Sequence, residues 1–413
     1  MHVLVVTQYF WPENFRINDL VAGLVERGHR VTVLTGLPNY PGGSFFKGYG
    51  LFGKMTEEYK GAKVVRVPLI PRGNGGGARL AFNYLSFVVS ACFFGPLRCR
   101  EKFDVGFIFE PSPVTVALPA ILIKRLRGIP LLFWVQDLWP ESLAATGAVT
   151  SPRILDMVGK LVKFIYRRCD RILVTSRAFV PSVSRYLEGQ EQVLYFPQYG
   201  EELYRPITLP SDAPERSLVP VGFIIMFAGN IGEAQDFGTI LSAAHRLRGH
   251  KHVHFVIIGE GRMRRKVEEE AQRLNLEMNF HFLGSHPLEK MPAFFSLADA
   301  MIVTLKKNPV FSLTVPAKIQ SYLACGKPII AALDGEGARI IEEASAGMVC
   351  PAENAKELAE TILQMSLLPQ DTLKEFGNNG LKFYRNNFDR NLLLDRLEVW
   401  MKDIACSENR GAA

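Results

Sequence analysis

Short, wholly apolar runs alternate along this chain with stretches in which apolar positions recur every three or four residues. The runs at 3–7, 31–35, 64–68, 105–109, 131–135 and 172–175 read as strands buried on both faces, as in parallel sheets. The helical period fills the intervals, over 15–27 behind an Asn14 cap and over 114–126 and 153–168 behind Pro113 and Pro152. Residues 201–221 break the rhythm, with Pro206, Pro210, Pro214 and Pro220 among small and charged residues, and predict a linker. A second series follows: strands at 223–227, 254–258, 279–283, 300–305 and 329–333, helices at 237–248, 262–274, 288–297, 317–324 and 356–365, and a helical tail over 371–405. The pattern predicts an α/β protein of two doubly wound domains facing a cleft, with ligands beyond the carboxyl ends of the strands. The expected boundaries are 1–200, a linker over 201–221, 222–385, and a last segment over 386–413 returning to the first domain.

Composition alters this picture in one respect. At 413 residues, 48% hydrophobic and 22% charged, the chain is an ordinary globular protein of more than one domain. Its net charge of +7 is uneven: residues 1–200 hold 24 basic against 14 acidic side chains, and the remainder 24 against 27. The first half therefore has an anionic partner in prospect. No charge falls between Leu80 and Leu97, while Arg79, Arg98, Arg100 and Lys102 flank that run. Asn83, Ser86 and Ser90 interrupt it, and Gly95-Pro96 predicts that its helix ends after Phe94. Two readings stay open: a core helix, or a helix in the interface of an anionic membrane. Six scattered cysteines without a C-x-x-C pair, and an N-terminus without a basic leader, fit the cytoplasm.

Several look-alike motifs fail on chemistry. Gly48 to Lys54 spells G-x-x-x-x-G-K, but Met55 stands where a magnesium-binding hydroxyl belongs. The first strand leads into Tyr9-Phe10-Trp11-Pro12 and not a glycine turn, and His250, His252 and His254 have no carboxylate or cysteine company. Four constellations remain at strand carboxyl ends. Glu13-Asn14-Phe15-Arg16 opens a helix whose free N–H groups, with Arg16, suit an anion. Asp137 in Gln136-Asp137-Leu138-Trp139-Pro140-Glu141 can orient a hydroxyl or accept its proton. Gly229-Asn230-Ile231-Gly232 and Gly259-Glu260-Gly261 are glycine turns after successive strands, fit for backbone amides to approach a phosphate. Thr314 and Lys318 stand at the start of a helix opened by Pro316, a favourable place for a leaving diphosphate.

The passages Gln8 to Leu20, Gly28 to Pro41, Asp137 to Ser142 and Lys318 to Pro328 resemble the retaining glycosyltransferases of family 4, which have the GT-B fold. The nearest subgroup is the bacterial O-antigen and capsule transferases of the N-acetyl-L-fucosaminyltransferase kind. The resemblance implies a UDP-sugar donor in the second domain and an undecaprenyl-diphosphate-linked acceptor in the first. It also implies retention of anomeric configuration, no required metal or other cofactor, and a place at the inner face of the cytoplasmic membrane, with no nucleic-acid partner. On it, Asp137 and Lys318 are the catalytic candidates. Gly229, Asn230, Gly232, Gly259, Gly261, Arg264, Thr314, Lys318 and Ser321 are donor candidates. Glu13, Asn14, Arg16, Asn39, Tyr40 and Glu141 are acceptor candidates. The chain departs from the family where an Arg and a Lys after the second domain's first strand become Asn230 and Gln235. The paired glutamates of the family fall on Leu313 and Ser321, and its His before Asp137 on Gln136. Those departures leave a nucleotide-sugar 2-epimerase, or a non-catalytic donor-binding subunit of a polysaccharide assembly complex, as alternatives.

Overall fold

A computed structural model describes residues 1–51, 53–73, 76–189 and 192–411; Phe52, within the G-x-x-x-x-G-K look-alike, and the last two residues of the expected returning segment lie outside them. The chain divides into two units: Met1–Phe196 with Leu393–Ala413, and Pro197–Leu392. In unit 1 the order is β1 (His2–Val6), α1 (Arg16–Glu26), β2 (Arg30–Gly36), β3 (Thr56–Tyr59), β4 (Ala62–Val67), α2 (Gly77–Arg98), β5 (Val105–Glu110), α3 (Ala117–Arg127), β6 (Leu131–Val135), α4 (Glu141–Ala145), α5 (Pro152–Tyr166), β7 (Arg171–Val174), α6 (Phe179–Ser184) and β8 (Val193–Tyr195). The sheet order is β3-β4-β2-β1-β5-β6-β7-β8, parallel except for the edge strand β3. β1, β5 and β6 are buried at every position, because helices cover both faces of a parallel sheet.

Unit 2 continues with β9 (Phe223–Ala228), α7 (Phe237–Arg246), β10 (Val253–Ile258), α8 (Arg264–Arg273), β11 (Phe280–Gly284), α9 (Met291–Leu297), β12 (Ala300–Thr304), α10 (Pro309–Leu313), α11 (Ala317–Ala324), β13 (Ile329–Ala332), α12 (Glu336–Glu343), β14 (Gly347–Cys350), α13 (Ala355–Ser366) and α14 (Gln370–Asn387). Its sheet, β11-β10-β9-β12-β13-β14, is the 3-2-1-4-5-6 order of doubly wound nucleotide-binding domains. A crevice at the strand reversal lies beside β9 and β12 here, and beside β1 and β5 in unit 1. The final helix, α15 (Arg390–Gly411), brings the chain back to unit 1. There it buries Leu393, Leu394, Leu397 and Met401, and Phe196 packs on Trp400.

The expected linker over 201–221 is part of unit 2. Tyr204 stacks on Phe295, Lys290 pairs with Glu215 at 2.6 Å, and Tyr384 Oη donates to the Gly200 carbonyl. Proline there shapes a strap held by side chains. Three local expectations also change. Phe15, with no side-chain hydrogen bond, caps α1 in place of Asn14, which is exposed. α2 runs past Gly95-Pro96 to Arg98, since a side chain at Gly95 would meet Leu34 at 2.8 Å and the glycine lets the helix lie close. The core-helix alternative for α2 is also displaced, because only 22% of its most apolar window is buried.

Candidate functional site

In unit 1 the carboxyl edge of the sheet gathers acids that face inward. Glu13 is 1% exposed, and its carboxylate accepts N–H groups from Phe10 at 3.1 Å and from Asn39 and Tyr40 at 2.7 Å each. Burial pushes it up to about 7 against the pull of those three donors. Glu13 therefore staples the loop after β1 to the loop after β2. Asn39, also buried, extends the staple: its Oδ1 accepts from Arg72 N at 3.0 Å and its Nδ2 donates to Leu37 O. Tyr40 stays 37% exposed. Arg16 is the first residue of α1 and half-buried. Glu141 opens α4 and accepts Arg185 Nη2 at 2.5 Å.

Asp137 follows β6 and is half-buried. The Ser142 hydroxyl and Trp139 Nε1 donate to its carboxylate, yet burial still holds it above the ordinary aspartate value. Behind it lies Glu110, the last residue of β5 and fully buried. Its Oε2 accepts long hydrogen bonds, 3.4 Å each, from the N–H groups of Gln136 and Asp137. Its Oε1 has no partner among the described residues. Burial first, and the charge of Asp137 second, keep Glu110 well above the carboxylate range. Sequence reasoning missed Glu110; the available signal was an acid ending a wholly apolar strand. Arg72 was missed too. Its Nη1 donates to Tyr9 Oη at 2.9 Å and its guanidinium lies 4.9 Å from the Tyr40 ring, so a cation faces the same edge.

In unit 2 the two glycine turns close on each other. A side chain at Gly259 would meet Gly229 O at 2.0 Å, and one at Gly261 would meet Ile231 O at 2.3 Å. The amides of Gly229 and Ile231 donate to Ile258 O and Glu260 O at 2.9 and 2.8 Å. Glycine here serves backbone-to-backbone approach between neighbouring strand ends, and these two amides are engaged within the protein rather than offered to a phosphate. Gly232 folds against Asn230, which is exposed. Arg264 already lies between Glu260 and Glu268, so its charge is met. Thr314 Oγ1 donates to Val310 O at 3.0 Å, and Ser321 is buried along α11.

Lys318 is the cation that reaches the end of β9. Its Nζ lies 3.8 Å from the Phe227 ring centroid, donates to Gln235 Oε1 at 2.5 Å, and would stand 3.8 Å from a side chain at Gly229. One turn later Tyr322 Oη accepts from Ala228 N at 3.1 Å and donates to Ala228 O at 3.2 Å, which locks α11 to β9 and fixes the lysine. Burial pushes the Lys318 amine down to about 7. The family's lysine position is Gln235 in this chain, and Gln235 is the residue that receives the Lys318 ammonium: the cation arrives from α11 at the place the resemblance assigns it. Among the described residues no group of three or more His, Cys, Asp or Glu could hold a metal ion.

Comparison with known proteins agrees with the fold. The family described as glycosyl transferase 4-like domain matches residues 14–198, and that of glycosyl transferases group 1 matches residues 215–383. A putative colanic acid biosynthesis glycosyl transferase, WcaI of Escherichia coli K12, is 24% identical, over 90% of this chain and 93% of its own. Sucrose-phosphate synthase of Thermosynechococcus elongatus superposes with a TM-score of 0.76 at 16% identity, covering 98% of this chain and 99% of its own. Anabaena Alr3699/HepE in complex with UDP superposes at 0.71 and 15% identity, covering 98% and 100%. With both halves matched to consecutive family domains and both sheets in place, the chain belongs to the glycosyltransferases of the GT-B fold.

Proposed function

We propose that this enzyme transfers a sugar, with N-acetyl-L-fucosamine the foremost candidate, from a UDP-sugar to an undecaprenyl-diphosphate-linked acceptor, retaining the anomeric configuration. The observation that carries the donor side is Lys318, a desolvated amine fixed at the end of β9 by Tyr322 and Gln235. As the anomeric carbon–oxygen bond to the diphosphate breaks, negative charge collects on the leaving group. An ammonium held there in a poorly solvated setting stabilises that charge more in the transition state than in the ground state. This reading needs no metal, since the lysine takes the part a divalent ion takes elsewhere. Asp137 serves the acceptor side: it orients the incoming hydroxyl, or steadies positive charge developing on the sugar. The HepE structure with UDP and the relative in colanic acid biosynthesis support a UDP donor and a role in O-antigen, capsule or exopolysaccharide assembly. A cytoplasmic place, peripheral to the inner membrane face, follows from a lipid-linked acceptor.

A thermal-shift panel of nucleotide sugars tests the donor, because a ligand that binds only the folded state raises apparent stability. Stabilisation by UDP-sugars is expected, and a response to GDP-sugars alone overturns the choice. Product analysis with and without lipid-linked acceptor tests transfer: donor consumed equally in both overturns the acceptor assignment. Chelation by EDTA is expected to leave the rate unchanged.

A further inference from the structure

α2 carries a stripe of large apolar side chains that the described residues leave about half exposed or more. Phe82, Leu85, Val89, Phe93 and Leu97, spaced by three or four residues, are 58%, 59%, 62%, 63% and 49% exposed. The opposite side of the helix holds its buried residues, among them Asn83, Phe87, Ala91 and Gly95. α2 packs beside α3, and α3 beside α5, in one layer on the sheet. α5 repeats the arrangement, with Ile154, Met157 and Phe164 at 49%, 67% and 41%. Contiguous exposed apolar surface of this kind marks a surface that meets something.

The charges around the stripes say what. α2 has Arg79 and Arg98 and no acid. α5 has Arg153, Lys160 and Lys163 against Asp156 alone, which pairs with Lys160. Where α2, α3 and α5 end, at the amino edge of the sheet, an open depression of about 2010 Å³ is lined by nine Lys and Arg side chains, Arg125 and Arg168 among them, against the acids Glu101, Asp104 and Asp170. Asp170 pairs with Lys124, while Arg100, Arg127, Arg168 and Arg171 donate to backbone carbonyls, so the depression keeps a net positive charge. Cations at helix C-termini offset the helix dipole. Phe164 lies under the Arg168 guanidinium, 3.6 Å from its ring centroid, whereas that role leaves unexplained the exposure of Leu97 and Leu126 (60% exposed) in the last turns of α2 and α3.

We propose that the outer faces of α2 and α5, with the basic depression at their C-terminal ends, form a docking surface for anionic phospholipid. This rests on the membrane location proposed above and deepens it by assigning the surface. The apolar stripes enter the headgroup–acyl boundary while the arginines meet lipid phosphates. A second copy of the chain suits this face poorly, because a two-fold axis would set cations against cations. α2 lies in the interface and does not cross it, since its inner side is packed in unit 1. At its first half, Asn83 Nδ2 donates to Ile70 O beside Asn39, at the carboxyl edge of the sheet. Docked through α2, unit 1 keeps that edge at headgroup level, within reach of a diphosphate-linked acceptor.

The test is co-sedimentation of the full chain with vesicles of phosphatidylcholine, with and without phosphatidylglycerol. Binding to the anionic vesicles, weakened by salt, is expected. The double variant Val89→Ser, Phe93→Ser is expected to bind about a hundredfold more weakly. Arg125→Ala with Arg168→Ala should lose about tenfold, on anionic vesicles only. All four positions are on the surface, and an unchanged thermal shift with UDP shows that the variants fold. Wild-type-like vesicle binding by both double variants overturns the surface while leaving the membrane location standing. A wild type that binds neither vesicle overturns the location as well, and donor consumption in detergent then reads the transferase assignment separately. A dimeric wild type that the Val89/Phe93 variant turns monomeric, with vesicle binding unchanged, assigns the face to a second copy and overturns the proposal.

Discussion

The carboxyl edges of the two sheets share one topology and hold desolvated groups of opposite charge type. In unit 1, beside the cation Arg72, three acids, Glu13, Glu110 and Asp137, are all pushed up by burial. In unit 2 the inward group is an amine, Lys318, pushed down to about 7 by the same cause. Desolvation favours the neutral form in both cases, so each edge is poised to take on charge when a ligand supplies the counter-charge. A hydroxyl and a developing cation suit the first edge, and a departing diphosphate suits the second. The doubly wound sheet supplies a place; the sign of one or two buried side chains decides what the place does.

The most damaging way to break this contrast is to remove either charge. Lys318→Ala and Asp137→Asn are each expected to lower kcat by about 100-fold or more, with unfolding midpoints near wild type. Full activity in the lysine variant would sink its diphosphate role. Next comes the buried acid behind Asp137. Glu110→Ala removes the carboxyl oxygen that accepts the Asp137 N–H and adds a cavity, so urea unfolding should show a loss of about 2–3 kcal/mol. Glu110→Gln should cost under about 1 kcal/mol, because an amide oxygen can still accept.

A comparable loss tests the glycine turns. Gly259→Ala places a side chain 2.0 Å from Gly229 O at a positive φ, and should destabilise by about 2 kcal/mol or more. Gly249→Ala, with nothing within 4 Å, should stay within about 0.5 kcal/mol. The gentlest probe is pH. Lys318 loses its proton as pH rises through about 7, and a bound diphosphate favours the ammonium. UDP affinity should therefore fall above pH 7, by at most about tenfold per unit, with proton uptake on binding visible by calorimetry in buffers of different ionisation enthalpy. Lys318→Arg should abolish that proton uptake.

Much of the architecture was legible because parallel strands are buried on both sides and must be apolar throughout. β6 and α11 match their expected ranges residue for residue. β3 was not legible, since Thr56-Glu57-Glu58-Tyr59 is a polar edge strand whose pairing comes only from β4. β14 and α12 went unread because β14 is an edge strand half-buried at three of its four positions, and α12 has Ile340 and Ile341 as its large apolar residues. At the site, Lys318 could be placed by the helix that carries it. The engagement of the glycine amides could not be foreseen, because it depends on how β9 and β10 register. The burial of Glu13 was not legible either, since two of its three donors, Asn39 and Tyr40, lie in a loop distant in sequence.

The return of the chain through α15 has a temporal consequence. Unit 2 is one continuous stretch, Pro197–Leu392, whereas unit 1 is split around it. Domains generally fold as they emerge during synthesis. Here the first-begun unit must wait: the places that Leu393, Leu397 and Met401 fill stay open until unit 2 has been made in full. Arg27 likewise waits for Asp395 and Glu398. Unit 2 can thus be complete on the ribosome while unit 1 still lacks its last helix. A chain stalled before residue 393 would hold a finished unit 2 and an unfinished unit 1.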